Sequence, residues 1–73
     1  YDAGRRGQYY ESIKYYKQAL LLAPGSDLFL MSIGVAYVHV GEKERGIRFL
    51  EKAASISPNN SRIRRNLEAA RGY

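Results

Sequence analysis

Laid beside itself at an offset of 34 residues, this chain pairs Gly7 with Gly41, Ile13 with Ile47, Ala19 with Ala53, Pro24 with Pro58 and Ala36 with Ala70. Near-matches fall in the same register: Lys14 with Arg48, Tyr15 with Phe49, Leu22 with Ile56 and Ile33 with Leu67. A helix–turn–helix repeated at this period marks an α-solenoid, in which one hairpin cannot bury its apolar face alone and must stack on the next. The expected fold is therefore all-α: antiparallel helix hairpins stacked as a short right-handed α-solenoid of about four helices.

Size sharpens that expectation. With 73 residues and no cysteine, the chain lacks both a comfortable core volume and disulfide staples, so it needs efficient helix packing or a partner. It has no initiator methionine and starts inside a pattern, and so reads as a piece of something longer. No apolar run reaches the roughly 18 residues of a membrane span.

The net charge of +5 is unevenly placed. Residues 1–26 hold four basic and two acidic side chains, residues 27–60 four of each, and residues 61–73 four and one. Such terminal basicity suits an acidic partner, but the plainer account is a charged cap that keeps a helix stack in water.

In chain order, residues 1–7 (YDAGRRG) read as the end of an earlier helix plus its turn. Residues 8–22 place Tyr9, Ile13, Tyr16 and Leu20 on one face of a helix that Pro24-Gly25 ends. Tyr10 and Tyr15 point elsewhere, toward cover that a preceding helix would supply. A second helix over 27–40, opened by Ser26-Asp27, is apolar on nearly every side. Leu30, Ile33, Gly34 and Tyr37 cluster on one side of it, and Leu28, Met31, Val35 and Val38 on another. Three valines and a central glycine lower its intrinsic propensity, so packing must hold it, and Gly34 marks a place where another helix backbone comes close.

A third helix over 43–56 offers Ile47, Leu50, Ala53, Ala54 and Ile56 for burial, and Lys43, Glu44, Arg48, Glu51 and Lys52 to water. Glu44 and Arg48 stand four apart in the favourable order. Gly46 inside it costs up to about 1 kcal/mol relative to alanine, which a tight helix crossing would explain. The last helix, from Ser61 to Ala70 or Arg71 with Asn60 or Ser61 as cap, puts Ile63, Leu67 and Ala70 on one face and Arg64, Glu68 and Arg71 on the other.

These residues resemble the tetratricopeptide repeat, whose pattern runs Trp-x2-Leu-Gly-x2-Tyr, then Ala-x3-Phe, then Pro. Leu30, Ile33, Gly34, Tyr37, Gly46, Leu50 and Pro58 match it with the same spacings, and Ala53 fits a late small position. The half-copy before them supplies Gly7, Tyr9, Ser12, Tyr16, Ala19 and Pro24. Departures are Leu30 for the large aromatic, Gly46 and Ser12 for alanine, and Leu50 for phenylalanine or tyrosine. The resemblance divides the chain into a truncated repeat over 1–26 (turn plus second helix), a complete repeat over 27–60 and a C-terminal capping helix over 61–73. Arg64, Glu68 and Arg71 occupy the places where a paired second helix would pack, and burying them unpaired would cost several kcal/mol, so no further hairpin is expected in register.

Chemistry finds little to work with. One histidine, His39, and no cysteine leave neither a nucleophile with base and orienter nor a zinc ligand set. The carboxylates lie among cations on solvent faces, and no phosphate-cradling Gly-x4-Gly-Lys loop is present. The expectation is a protein that is not an enzyme, with no catalytic or metal residues and no cofactor.

In proteins this sequence resembles, first helices of successive hairpins line a concave surface that holds an extended peptide or a helix. That resemblance places Leu28, Met31, Val35 and Val38 there, with Ser32 and His39, followed by Arg62, Arg65, Asn66 and Ala69. The expected function is a protein–protein interaction module: a peptide or amphipathic helix on the apolar group, with an acidic group or chain end near Arg62 and Arg65. Met31 and Val35 replace the lysine and asparagine by which one co-chaperone subclass grips a terminal carboxylate. The alternative is structural, the same apolar face packing on missing repeats or on a second copy as a homo-oligomer. RNA reading draws on the positive charge alone, because pentatricopeptide-like readers carry polar side chains where Met31 and Val35 stand; no nucleic-acid partner is expected.

Overall fold

Pro24-Gly25, Gly41 and Pro58 divide the chain. The computed structural model describes the backbone of residues 2–72 and the side chains of residues 7–72, and among them it has four helices: α1 (Asp2–Leu22), α2 (Asp27–His39), α3 (Lys43–Ile56) and α4 (Ser61–Ala70). The expected all-helical architecture of hairpins is the observed one.

Each helix start has a local cause. Ser26 caps α2, its hydroxyl accepting from the Phe29 amide at 3.3 Å. Asn60, rather than Ser61, caps α4, its side-chain oxygen accepting from the amides of Arg62 at 2.9 Å and Ile63 at 3.3 Å. Glu42 caps α3 without accepting from its backbone amides, since its carboxylate is taken by the side chains of Tyr10 and Arg45. Gly41 makes the α2–α3 reversal at φ 88° and Gly72 follows α4 at φ 83°, a left-handed geometry that only glycine enters without strain.

The start of α1 corrects the expected turn over residues 1–7. Helix runs unbroken from Asp2 through Gly7, and Tyr1 lies outside the described residues. Gly41 must turn because α3 folds back onto α2; no described element folds back over Gly7, whose α-carbon has open space around it. There the local hydrogen-bond ladder wins.

Consecutive helices run antiparallel. Tyr9 stacks on His39 with ring centroids 4.9 Å apart, while Tyr16 meets Phe29 at 5.8 Å toward the other end of the same pair. In the next pair Gly34 lies against Gly46, and the Ser57 hydroxyl donates to the Asp27 carboxylate, joining the end of α3 to the start of α2. The core forms three contiguous groups: Ile13, Ile33, Ala36, Tyr37 and Val40; Leu30, Ala53 and Ile63; and Leu50, Leu67 and Ala70. Tyr9, Tyr16 and Leu20 are half-buried against it, as their helical spacing predicts.

Other assignments change. Ile56, expected inside, is 46% exposed. Phe49, unassigned by the helical spacing, is half-buried and packs on the first two core groups, its ring stacked on Tyr37 at 5.6 Å. The two ion pairs among the described residues are Arg45–Glu42 and Arg71–Glu51, so Glu44 and Arg48 do not meet. An exposed pair four apart gains only a few tenths of a kcal/mol, too little to hold two long side chains together.

Candidate protein-interaction face

The face expected to hold a partner is built from α2 and α4, which touch directly. Two sides of α2 are apolar, roughly 130° apart by helical geometry. One, carrying Leu30, Ile33, Gly34 and Tyr37, is buried. The other carries Leu28, Met31, Val35 and Val38, and its four members divide by environment. Leu28 is 55% exposed, whereas Met31, Val35 and Val38 are half-buried against the Leu50, Leu67 and Ala70 group. The docking of α4 thus takes up part of this face.

On α4, Arg62 and Arg65 are exposed, Asn66 is half-buried and Ala69 is exposed. The helix turns Ile63, Leu67 and Ala70 inward, which carries Arg62 and Arg65 outward. Arg64, Glu68 and Arg71 are exposed as their spacing predicts. Arg64 donates to the Pro58 carbonyl at 3.4 Å and Arg71 to the Glu51 carboxylate at 3.1 Å, contacts that join α4 to the preceding turn and to α3. Chemically, Leu28 and the outer surfaces of Met31 and Val35 can take an apolar side chain, and two guanidinium groups can take a carboxylate in a forked geometry.

His39 is exposed, and its ring stacks on Tyr9 of α1, parallel within 7°. No three His, Cys, Asp or Glu side chains gather into a metal-binding group among the described residues. No described helix is long and apolar enough to cross a membrane. Tyr10, expected to be covered by an earlier helix, instead donates its hydroxyl to Glu42 at 2.7 Å, tying α1 to the α2–α3 turn.

Sequence reasoning missed one grouping. Lys17 of α1 and Arg45, Arg48 and Lys52 of α3 surround the stacked Tyr37 and Phe49 rings and line a cavity with them. Arg48 and Lys52 read as solvent-facing from helical spacing, which says nothing of what a neighbouring helix brings to the same place. The signal in the sequence was the spacing of Arg45, Arg48 and Lys52, within about 60° of arc on one helix.

The family model described as tetratricopeptide repeat matches the chain over residues 4–26 and 29–60. No curated protein matches it at a significant level.

Proposed function

The chain belongs to the tetratricopeptide repeat family, whose repeats generally act as non-catalytic scaffolds for protein–protein interaction, and from that premise we propose that α2 and α4 together seat an apolar peptide or amphipathic helix bearing an acidic group. The observation carrying the proposal is the exposure of Leu28 beside half-buried Met31 and Val35 on α2, together with the exposure of Arg62 and Arg65 on α4, a helix in contact with α2. An apolar strip beside two free guanidinium groups suits an apolar anchor followed by a carboxylate. In this reading residues 1–26 belong to a truncated repeat, 27–60 form a complete one and 61–73 close the stack.

The test is selection of displayed peptides on the immobilised 73-residue chain. Selected sequences should combine two or more apolar anchors with a downstream acidic residue or free C-terminus, and should lose binding to Leu28→Glu and to Arg62→Glu/Arg65→Glu. Peptides indifferent to both variants would reject the proposal.

A second reading, self-association or packing on further repeats, rests on a separate observation: α1 leaves Tyr15 76%, Leu21 83% and Leu22 90% exposed. Sedimentation across a concentration series decides it. A dimer that Leu21→Glu/Leu22→Glu dissolves would support it, and a monomer at high micromolar concentration would count against self-association.

A further inference from the structure

We propose that the cavity between α1 and α3 is a binding site for a small soluble polyphosphate. It is a half-open depression of about 310 Å3 lined by Lys17, Tyr37, Arg45, Arg48, Phe49 and Lys52, at the small end of the range for ligand pockets. Four of these six side chains are cationic and none is acidic. Among the described residues, Lys17, Arg48 and Lys52 have no carboxylate within 4.0 Å, and Arg45 alone has one, Glu42 at 3.3 Å.

The cations come to this place for structural reasons. Arg45, Arg48 and Lys52 share one face of α3 over a rise of about 10.5 Å, and Lys17 reaches the same cavity from α1. Three of them rest against its aromatic floor: Lys17 Nζ lies 5.3 Å from the Tyr37 ring centre, the Arg45 guanidinium 6.0 Å from the same ring, and Lys52 Nζ 5.8 Å from the Phe49 ring. Attraction to the rings holds like charges together that would otherwise spread into solvent. The floor is itself firm, since Tyr37 is only 4% exposed and its ring stacks on Phe49. An incoming anion meets donors already gathered.

Charge density selects the ligand class. An acidic strand presents same-face side chains about 6.8 Å apart, so only one or two carboxylates would enter this cavity and half of its positive charge would stay unmatched. A terminal phosphate group carries about −1.5 to −2 and three acceptor oxygens, so a chain of two or three phosphates, charged so at both ends, brings at least about −3 to −4 to four cations within the same space. Arginine forks and lysine point charges are the usual partners of such oxygens. This site is separate from the α2–α4 face, because Tyr37 lies on the other side of α2 from Leu28, Met31 and Val35.

The test is titration calorimetry of the full chain with sodium tripolyphosphate. We expect one site per chain, weakened at least about tenfold in Arg48→Gln/Lys52→Gln, as loss of two charge-assisted contacts requires. Lys43→Gln/Arg64→Gln removes equal charge from the opposite side of α3 and from α4, and should change affinity by no more than about twofold. Circular dichroism checks that both variants remain helical, and Lys17→Gln, on the opposite wall, supplies an independent loss of affinity should the double variant unfold. No binding, equal weakening by both charge removals, or displacement of the tripolyphosphate by equimolar polyglutamate would overturn the proposal. So would binding to vesicles containing phosphatidylinositol phosphates with no response to tripolyphosphate in solution.

Discussion

A methyl group placed on Gly34 would lie 2.8 Å from the carbonyl oxygen of Gly46, and one placed on Gly46 would lie 2.5 Å from the carbonyl oxygen of Gly34. The two glycines are thus each other's reason. Leu50 completes the contact from one side and Val38 from the other, so the crossing of α2 and α3 has neither free space nor a flexible side chain that could yield.

Alanine raises helix propensity by about 1 kcal/mol over glycine, yet forcing an atom into a packed contact costs about 1–3 kcal/mol. Gly34→Ala and Gly46→Ala should therefore each lower stability in urea unfolding. Once one methyl group has pushed the helices apart the second meets less resistance, so the double variant should lose less than the sum of the singles. Full additivity would mean that the backbones do not touch.

Gly7 and Gly41 are 34 residues apart in the same register, but their substitutions should act in opposite directions. Gly41 holds φ 88°, a region that costs an L-residue roughly 1–2 kcal/mol, so Gly41→Ala should lower Tm by several degrees. Gly7 is helical with open space around it, so Gly7→Ala should gain up to about 1 kcal/mol. A loss of stability at position 7 would show that this glycine turns in solution.

Leu28→Glu and Val35→Glu separate binding from folding. At 55% exposure Leu28 can carry a charge with little loss of stability, so Leu28→Glu should abolish peptide capture with unchanged helical content. Val35 packs against the group containing Leu50, Leu67 and Ala70, and a carboxylate there should loosen α4, lowering Tm together with capture. Equal stability of the two variants would contradict the placement of Val35.

Asn60→Ala removes the oxygen that satisfies two amides at the start of α4, a loss of about 1 kcal/mol. Because α4 is a 10-residue helix that rests chiefly on α3, that loss should appear first as local opening. Hydrogen exchange should speed up over residues 61–70 while the amides of α2 remain protected.

The repeat register, the helix ends other than the start of α1, and the close approaches at Gly34 and at Gly46 were legible because each rests on local chemistry: a proline, a capping oxygen, a missing side chain in an apolar helix. Helical spacing likewise placed Ile13, Leu50 and Ile63 inside. What it did not supply was the identity of the neighbour covering each face. Met31, Val35 and Val38 form one apolar strip in the sequence, and only the position of α4 shows that it covers three of the four strip members in part. Phe49 escaped notice because its burial comes from α1 and α2 jointly, and the gathering of Lys17 with Arg48 and Lys52 escaped for the same reason. Glu42 accepts from Tyr10 and pairs with Arg45, a convergence of three elements that spacing along one helix does not show, whereas Glu44 and Arg48 stand apart because an exposed pair gains too little.

The Ser57–Asp27 hydrogen bond closes a loop of only 30 residues, and every helix rests chiefly on the one before or after it in the chain. Such a topology keeps the entropy of loop closure small and places it in the fast range of folding rates. The α2–α3 hairpin, with both of its ends tied and its middle in backbone contact, is thus the unit to which α1 adds through α2, and α4 chiefly through α3.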